Sequence, residues 1–162
     1  MTLPLGRGLV LAALLLGCRA TPPGPLERRV ATAVKHLTVG GRGALNPLAA
    51  TADNVERGRR AFGAYCTACH GLDGRATGVP FALAMSPPVP SLASPEVQAY
   101  QDGQLHWIVE NGLFPSGMPA SRSLLSDEEM WRIVVFLRHL PKEGSLGDPP
   151  AYGGATPPCG SR

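Results

Sequence analysis

The chain has 162 residues, a formal net charge of +3 and an aromatic content of only 6%. This length favours a single folded domain. The basic residues are scattered rather than clustered, which argues against a nucleic-acid-binding surface. With 20 glycines and 17 prolines, the chain is rich in turn-forming residues, so we expect a small domain flanked by irregular segments.

The first 17 residues have the pattern of an export signal. Arg7 supplies a positive charge, and the apolar run at 9–16 is too short to span a bilayer. The run ends in Leu-Leu-Gly-Cys18, which resembles the bacterial lipobox, where the cysteine becomes the lipidated first residue. We interpret residues 1–17 as a lipoprotein-type signal peptide, with an ordinary secretory signal as the alternative. Either signal exports the chain to the periplasm, and a lipidated Cys18 would anchor it to a membrane.

Residues 18–50 are predicted to form a tether rich in proline and glycine. The stretch 21–25 contains three prolines and should be stiff. Apolar residues then recur at helical spacing, which predicts a short amphipathic helix; they are Leu26, Val30, Val34 and Leu37. The glycine-rich stretch 40–43 would end this helix.

A compact domain is predicted over residues 51–141. Its first helix should begin at Asp53, with Glu56 completing a capping pair. One face of this helix carries Val55, Gly58, Phe62 and Tyr65. The helix leads directly into the most informative motif of the chain.

The run Cys66-Thr-Ala-Cys69-His70 has the C-x-x-C-H pattern of covalent haem attachment. Two thiols three positions apart lie on one helical turn, where each can form a thioether with one vinyl group of the same haem. His70 then provides the proximal iron ligand. A zinc site would need a second ligand pair, but Cys18 and Cys159 are single, and a thioredoxin-type site would need a βαβ context. The sequence indicates no role for Cys159.

The remaining elements follow from turn and capping signals. Residues 71–92 are predicted to be a loop, and a loop this long would wrap the edge of the haem. Ser94 before Pro95 predicts a helix start, and Asp102 predicts the cap of a further helix that ends at Gly112.

The end of the chain is predicted to hold one buried helix and a tail. Ser126 and Glu129 form a capping box for a largely apolar helix over Met130–Leu140, which Pro141 ends. Residues 142–162 are rich in glycine and proline, so we expect a disordered tail.

The second axial iron ligand is predicted to be Met118. It lies between glycines and prolines in residues 111–119, which should hold its side chain in an irregular, rigid loop. A thioether is a soft ligand that favours reduced iron. Met85 is a weaker rival, and Met130 is expected to fill the core. Histidine ligation remains open through His36, His106 or His139, as does an open or water-bound site.

Together these residues resemble a class I, single-haem cytochrome c over roughly residues 51–141. The resemblance rests on Gly58 and Phe62 before Cys66, on Ile133 and Phe136 in the last helix, on Leu105 to Gly112, and on the pair Met118-Pro119. In that family a loop proline carbonyl accepts the ring N–H of the proximal histidine, and Pro90 is the matching position, although Pro80, Pro87 and Pro88 lie in the same loop. The segment from His70 to Pro90 is longer than in compact mitochondrial members.

The resemblance implies an all-α cytochrome c fold, with three to five helices wrapped around one covalently bound haem c. With His70 and Met118 as axial ligands, the iron has no free position, so we expect outer-sphere transfer of single electrons between redox proteins rather than enzyme activity. The alternatives are a haem subunit of a larger oxidoreductase complex and a ligand-binding haem enzyme or sensor in which Met118 is displaced.

Overall fold

The computed structural model describes residues 37–114 and 116–153, with Gly24, Leu26, Val30, Ala33 and Val34 ahead of them. The chain divides into two units, residues 1–34 and 35–162. In the first unit, Leu26, Val30 and Val34 are helical and exposed, in agreement with the predicted helix spacing. Cys18, His36 and Cys159 lie outside the described residues.

The second unit is helical. From residue 39 to residue 153, the described residues form five α-helices and no strand: α1 Ala52–Tyr65, α2 Thr67–His70, α3 Pro95–Gln98, α4 Asp102–Asn111 and α5 Asp127–Leu137. None of the helices in the described part of the chain is both long and apolar enough to cross a bilayer. This architecture confirms the all-α prediction.

Helices α1 and α5 cross at Gly58 and form the centre of the fold. A Cβ atom on Gly58 would overlap the carbonyl oxygen of Arg132 and lie 3.0 Å from the Cβ of Phe136. Next to this contact, the rings of Phe62 and Phe136 meet at a centroid distance of 5.2 Å. The surrounding core also contains Val109, Leu125, Met130, Ile133 and Leu137. Gly58 therefore sets how closely the two helices approach each other.

The helix ends show which capping predictions are correct. Ser126 and Glu129 form the predicted capping box of α5, and Ser94 caps α3 ahead of Pro95. The predicted cap at Asp53 is wrong, because the side chain of Thr51 accepts the N–H of Asn54 instead.

Two other predicted limits also differ. Helix α4 begins after Gln101, because Asp102 lies inside the first turn and binds Arg138. Helix α5 ends at Leu137 rather than Leu140, with Arg138 as its C-terminal cap.

The folded unit is larger than residues 51–141 on its N-terminal side. Val39 is buried, and its carbonyl accepts a hydrogen bond from Gln104 Nε2 at 3.4 Å. The Gly43 N–H donates to Gln101 Oε1 at 2.8 Å, and Asn46 Nδ2 donates to the Trp131 carbonyl at 3.2 Å. Residues 39–48 thus pack on α4 and α5 instead of belonging to the predicted tether.

The unit also extends beyond residue 141. Residues 141–153, which we call the C-terminal strap, pack against the 71–92 loop. Pro149 is fully buried. The Gly144 N–H donates to Asp73 Oδ2 at 2.9 Å, and the Arg75 guanidinium donates to the Pro141 carbonyl at 3.2 Å. The expectation of a disordered tail is therefore wrong for residues 142–153.

Candidate haem-binding site

The C-x-x-C-H motif occupies the junction of α1 and α2. Cys66 ends α1 and begins α2, its N–H bonding to the Phe62 carbonyl and its carbonyl accepting the N–H of His70, both at 2.9 Å. The Thr67 hydroxyl adds a bond to the Gly63 carbonyl at 3.0 Å. Both cysteines are free thiols and half-buried. One short helical turn thus presents two thiols and an imidazole together, as the spacing predicts.

His70 is held in a state suited to metal binding. Its Nδ1 is buried and has no hydrogen-bond partner among the described residues. Burial lowers the pKa of His70 to about 4. The imidazole is therefore neutral at neutral pH, which is the form that donates a nitrogen lone pair to iron. A buried ring nitrogen without a hydrogen-bond partner costs folding free energy. In a metal-bound histidine, the nitrogen that does not bind the metal usually donates its N–H to an acceptor that orients the ring.

The predicted acceptor for that nitrogen is the Pro90 carbonyl, and this bond is not formed. The 71–92 loop does return towards the motif, since the Leu92 N–H donates to the Gly74 carbonyl at 2.7 Å. Pro90 itself is exposed. Pro90 therefore lies two positions before Leu92, the residue that bonds to Gly74. The Pro90 carbonyl nevertheless does not accept a hydrogen bond from the His70 ring.

The Cys66 thiol differs from that of an ordinary surface cysteine. Burial, with a smaller contribution from Cys69, raises the pKa of Cys66 to about 12. Cys66 is therefore a neutral thiol at neutral pH in the folded chain, whereas the nucleophilic form is the thiolate. Among the described residues, no three or more His, Cys, Asp or Glu side chains converge as a metal site would require.

Met118 lies in a tight turn fixed by glycine. Gly112 ends α4 with φ +70°, and a Cβ there would lie 2.5 Å from the Met118 carbonyl oxygen. The Leu113 N–H bonds to that same carbonyl at 3.1 Å, which closes the turn. Gly117, directly before Met118, also has a left-handed φ of +81°. Both glycines hold backbone that other residues adopt only with strain, and Met118 is half-buried.

The structure places most of the rival ligands elsewhere. Met130 is 3% exposed within the core, as predicted. His106 stacks on Trp131 at 4.1 Å, and its Nε2 lies 2.9 Å from Asp127 Oδ1 without the geometry of a hydrogen bond. Nδ1 of His139, an exposed residue, lies 2.8 Å from the Val135 carbonyl.

Met85, the other methionine considered as an axial ligand, lies near the Met118 turn. A Cβ on Gly117 would lie 3.4 Å from the Met85 methyl carbon. The Met85 side chain therefore reaches the turn that carries Met118.

Taken together, the side chains fit a covalently attached haem. Two free thiols and a neutral imidazole lie on one turn, the imidazole has an orphaned buried nitrogen, and a glycine-fixed turn presents a thioether. A donor set of thioether-forming cysteines, histidine and methionine is typical of haem c rather than of zinc.

Comparison with known families agrees with this geometry. Residues 53–137 match the family described as cytochrome C oxidase, cbb3-type, subunit III. The chain belongs to this family. Its cytochrome c domain binds covalently attached haem c and transfers electrons, which confirms the predicted fold class and cofactor. No curated protein matches the chain.

Sequence reasoning missed two residues beside the motif. Asp73 is 1% exposed and accepts the Thr77 hydroxyl at 2.6 Å, the Arg75 N–H at 2.9 Å and the Gly144 N–H at 2.9 Å. Tyr152 donates its hydroxyl to the Ala68 carbonyl, between the two cysteines, at 2.9 Å. The only sequence signal for Asp73 is an acidic residue in a glycine-rich turn, and Tyr152 has none, because the strap lacks hydrophobic periodicity.

Proposed function

We propose that this cytochrome c domain is an exported, membrane-tethered carrier of single electrons, with His70 and Met118 as the axial ligands of a haem c bound to Cys66 and Cys69. The observation that carries the proposal is the single turn holding both thiols and the neutral imidazole, whose buried Nδ1 has no hydrogen-bond partner among the residues that the structure describes. When bound, the haem supplies a reversible one-electron iron couple.

The protein's own side chains would prevent the haem iron from binding oxygen or a substrate. His70 and Met118 filling both axial positions would leave no place for oxygen or substrate, which supports a carrier rather than an enzyme. Cys66 packs against the core of α1, α4 and α5, and we expect this core to hold the haem-attachment turn in place in both oxidation states.

Tethering and location rest on the N-terminal sequence. A lipobox-like Cys18 after a short apolar run supports lipidation, and export to the periplasm fits covalent haem attachment. Redox proteins would act as electron donor and acceptor at that membrane surface.

A second candidate is a fixed haem subunit of a larger oxidase complex. The matched family is described as a subunit of cbb3-type cytochrome c oxidase. Purification from membranes in mild detergent separates the two, because a stoichiometric partner favours the subunit and a lone chain favours the free carrier. The remaining alternative, a ligand-binding sensor, requires that Met118 be displaced.

Optical spectroscopy of the holoprotein tests the ligation. We expect the oxidised protein to show the near-infrared absorption band of sulfur bound to iron, and the reduced protein not to bind carbon monoxide at neutral pH. Met118→Ala should retain covalent haem while its reduction potential falls by more than about 100 mV, since axial-ligand identity shifts haem potentials over a wide range. Carbon monoxide binding by the wild-type protein, or an unchanged potential in the variant, would contradict Met118 as ligand.

A further inference from the structure

The C-terminal strap lies outside the matched residues 53–137, yet it is firmly attached to the domain. Asp73 ties it down through the Gly144 N–H, and the carboxylate is itself fixed by Thr77 and Arg75. Pro149 is fully buried. A segment anchored in this way can position other groups, because its backbone has already lost its conformational freedom.

The strap reaches the haem-attachment turn through Tyr152. The Tyr152 hydroxyl donates to the Ala68 carbonyl at 2.9 Å. The same ring meets Phe81 edge-on, with centroids 6.1 Å apart and planes at 79°. Edge-to-face pairs at this distance are attractive beyond the area they bury. Tyr152 therefore joins the motif between the cysteines to the 71–92 loop.

From Phe81 the contacts continue to the turn that carries Met118. The Phe81 carbonyl accepts the Met85 N–H at 3.2 Å, and the Val89 N–H closes the loop tip on the Ala82 carbonyl at 2.9 Å. Met85 is half-buried, while Leu83 in the same tip is 86% exposed. The Met85 methyl carbon lies next to the Cβ position of Gly117, which is 3.4 Å away, and so close to the turn that carries Met118.

We propose that Tyr152, Phe81 and Met85 form a brace that ties the Met118 turn to the Cys66–His70 turn and so holds Met118 in place as an axial ligand. Tyr152 and Met85 are positioning residues in this brace, acting through Ala68 and Gly117. The inference rests on the proposed ligation by Met118. Its consequence is that loss of a brace contact makes Met118 easier to displace without changing which residue is the ligand.

The test is an imidazole titration of the oxidised holoprotein. Loss of the near-infrared sulfur–iron band measures how much Met118 the imidazole has displaced. Met85→Ala should bind imidazole about tenfold more tightly, which corresponds to about 1.4 kcal/mol. Met85→Leu should restore the wild-type affinity, because leucine keeps the volume that packs on Gly117. Leu83→Ala is the matched control in the same loop tip and should leave the affinity unchanged.

Tyr152 is tested in the same titration. Tyr152→Phe loses the bond to Ala68 but keeps the ring against Phe81, so its imidazole affinity should rise by less than that of Met85→Ala. Tyr152→Ala loses both contacts, so its imidazole affinity should rise by more than that of Tyr152→Phe.

Three results would overturn the brace. Met85→Ala with wild-type affinity would show that the contact with Gly117 does not hold Met118. Met85→Leu that behaves like Met85→Ala would show that the sulfur, not the packing, matters. A wild-type protein without the near-infrared band would overturn the ligation by Met118 together with the brace, and so is distinguishable from failure of the brace alone.

Discussion

Replacing Gly58 with alanine tests the crossing of α1 and α5, on which the fold depends. In a helix, alanine is more favourable than glycine by about 0.5–1 kcal/mol. At Gly58 the new methyl group would overlap the Arg132 carbonyl oxygen and crowd the Cβ of Phe136. Because the Arg132 carbonyl is part of the backbone of α5, it cannot rotate away from the new methyl group, and the two helices must separate. Overpacking of this kind costs about 1–3 kcal/mol of folding free energy. We expect Gly58→Ala to lower the free energy of unfolding by about 1–2 kcal/mol.

The matched control is Gly63→Ala in the same helix. Gly63 is exposed, and a Cβ there meets no atom within 4 Å, so only the helix propensity changes. We expect this variant to gain about 0.5–1 kcal/mol. Guanidinium unfolding of both holoproteins, followed by circular dichroism and by haem absorbance, gives the two free energies. Equal stabilities would refute the argument that Gly58 sets the helix approach.

Three further changes test the lipid anchor, the haem attachment and the buried Asp73. Cys18→Ser should release the protein from the membrane fraction to the soluble fraction of fractionated cells; continued membrane association would argue against lipidation. Removing both Cys66 and Cys69 should abolish haem staining in denaturing gels, and surviving stain would place attachment elsewhere. Burial alone would raise the pKa of Asp73, but hydrogen bonds from Thr77, Gly144 and Arg75 outweigh it and lower the pKa below its ordinary 3.8. The stabilisation by the ionised Asp73 is present above its ordinary pKa and is lost as the pH falls through its folded-state pKa. Between about pH 5 and about pH 3, the free energy of unfolding should therefore fall more for wild type than for Asp73→Asn. Equal falls in the two proteins would contradict this.

The sequence predicted the elements whose signals are local. Ser126 and Glu129 lie three positions apart ahead of an apolar run, and this pattern alone locates the start of α5. The C-x-x-C-H spacing likewise placed two thiols and an imidazole on one turn. Where two capping residues compete, local rules do not decide: Thr51 caps α1 instead of Asp53, and Asp102 binds Arg138, the C-terminal cap of α5.

The strap and its contacts had no such signal. Its glycines and prolines give no hydrophobic period, and composition alone suggested a disordered tail. Its order comes from long-range bonds, such as Gly144 to Asp73 and Tyr152 to Ala68, which are separated by 71 and 84 positions. Contacts over that distance depend on the folded path of the 71–92 loop, which the sequence does not show.

Peptide mass spectrometry of exported, denatured protein tests covalent haem attachment directly. We expect the peptide containing Cys66 to His70 to carry the added mass of one haem through bonds that survive denaturation. A peptide that holds both cysteines as unmodified thiols, in protein collected outside the cytoplasm, would contradict it.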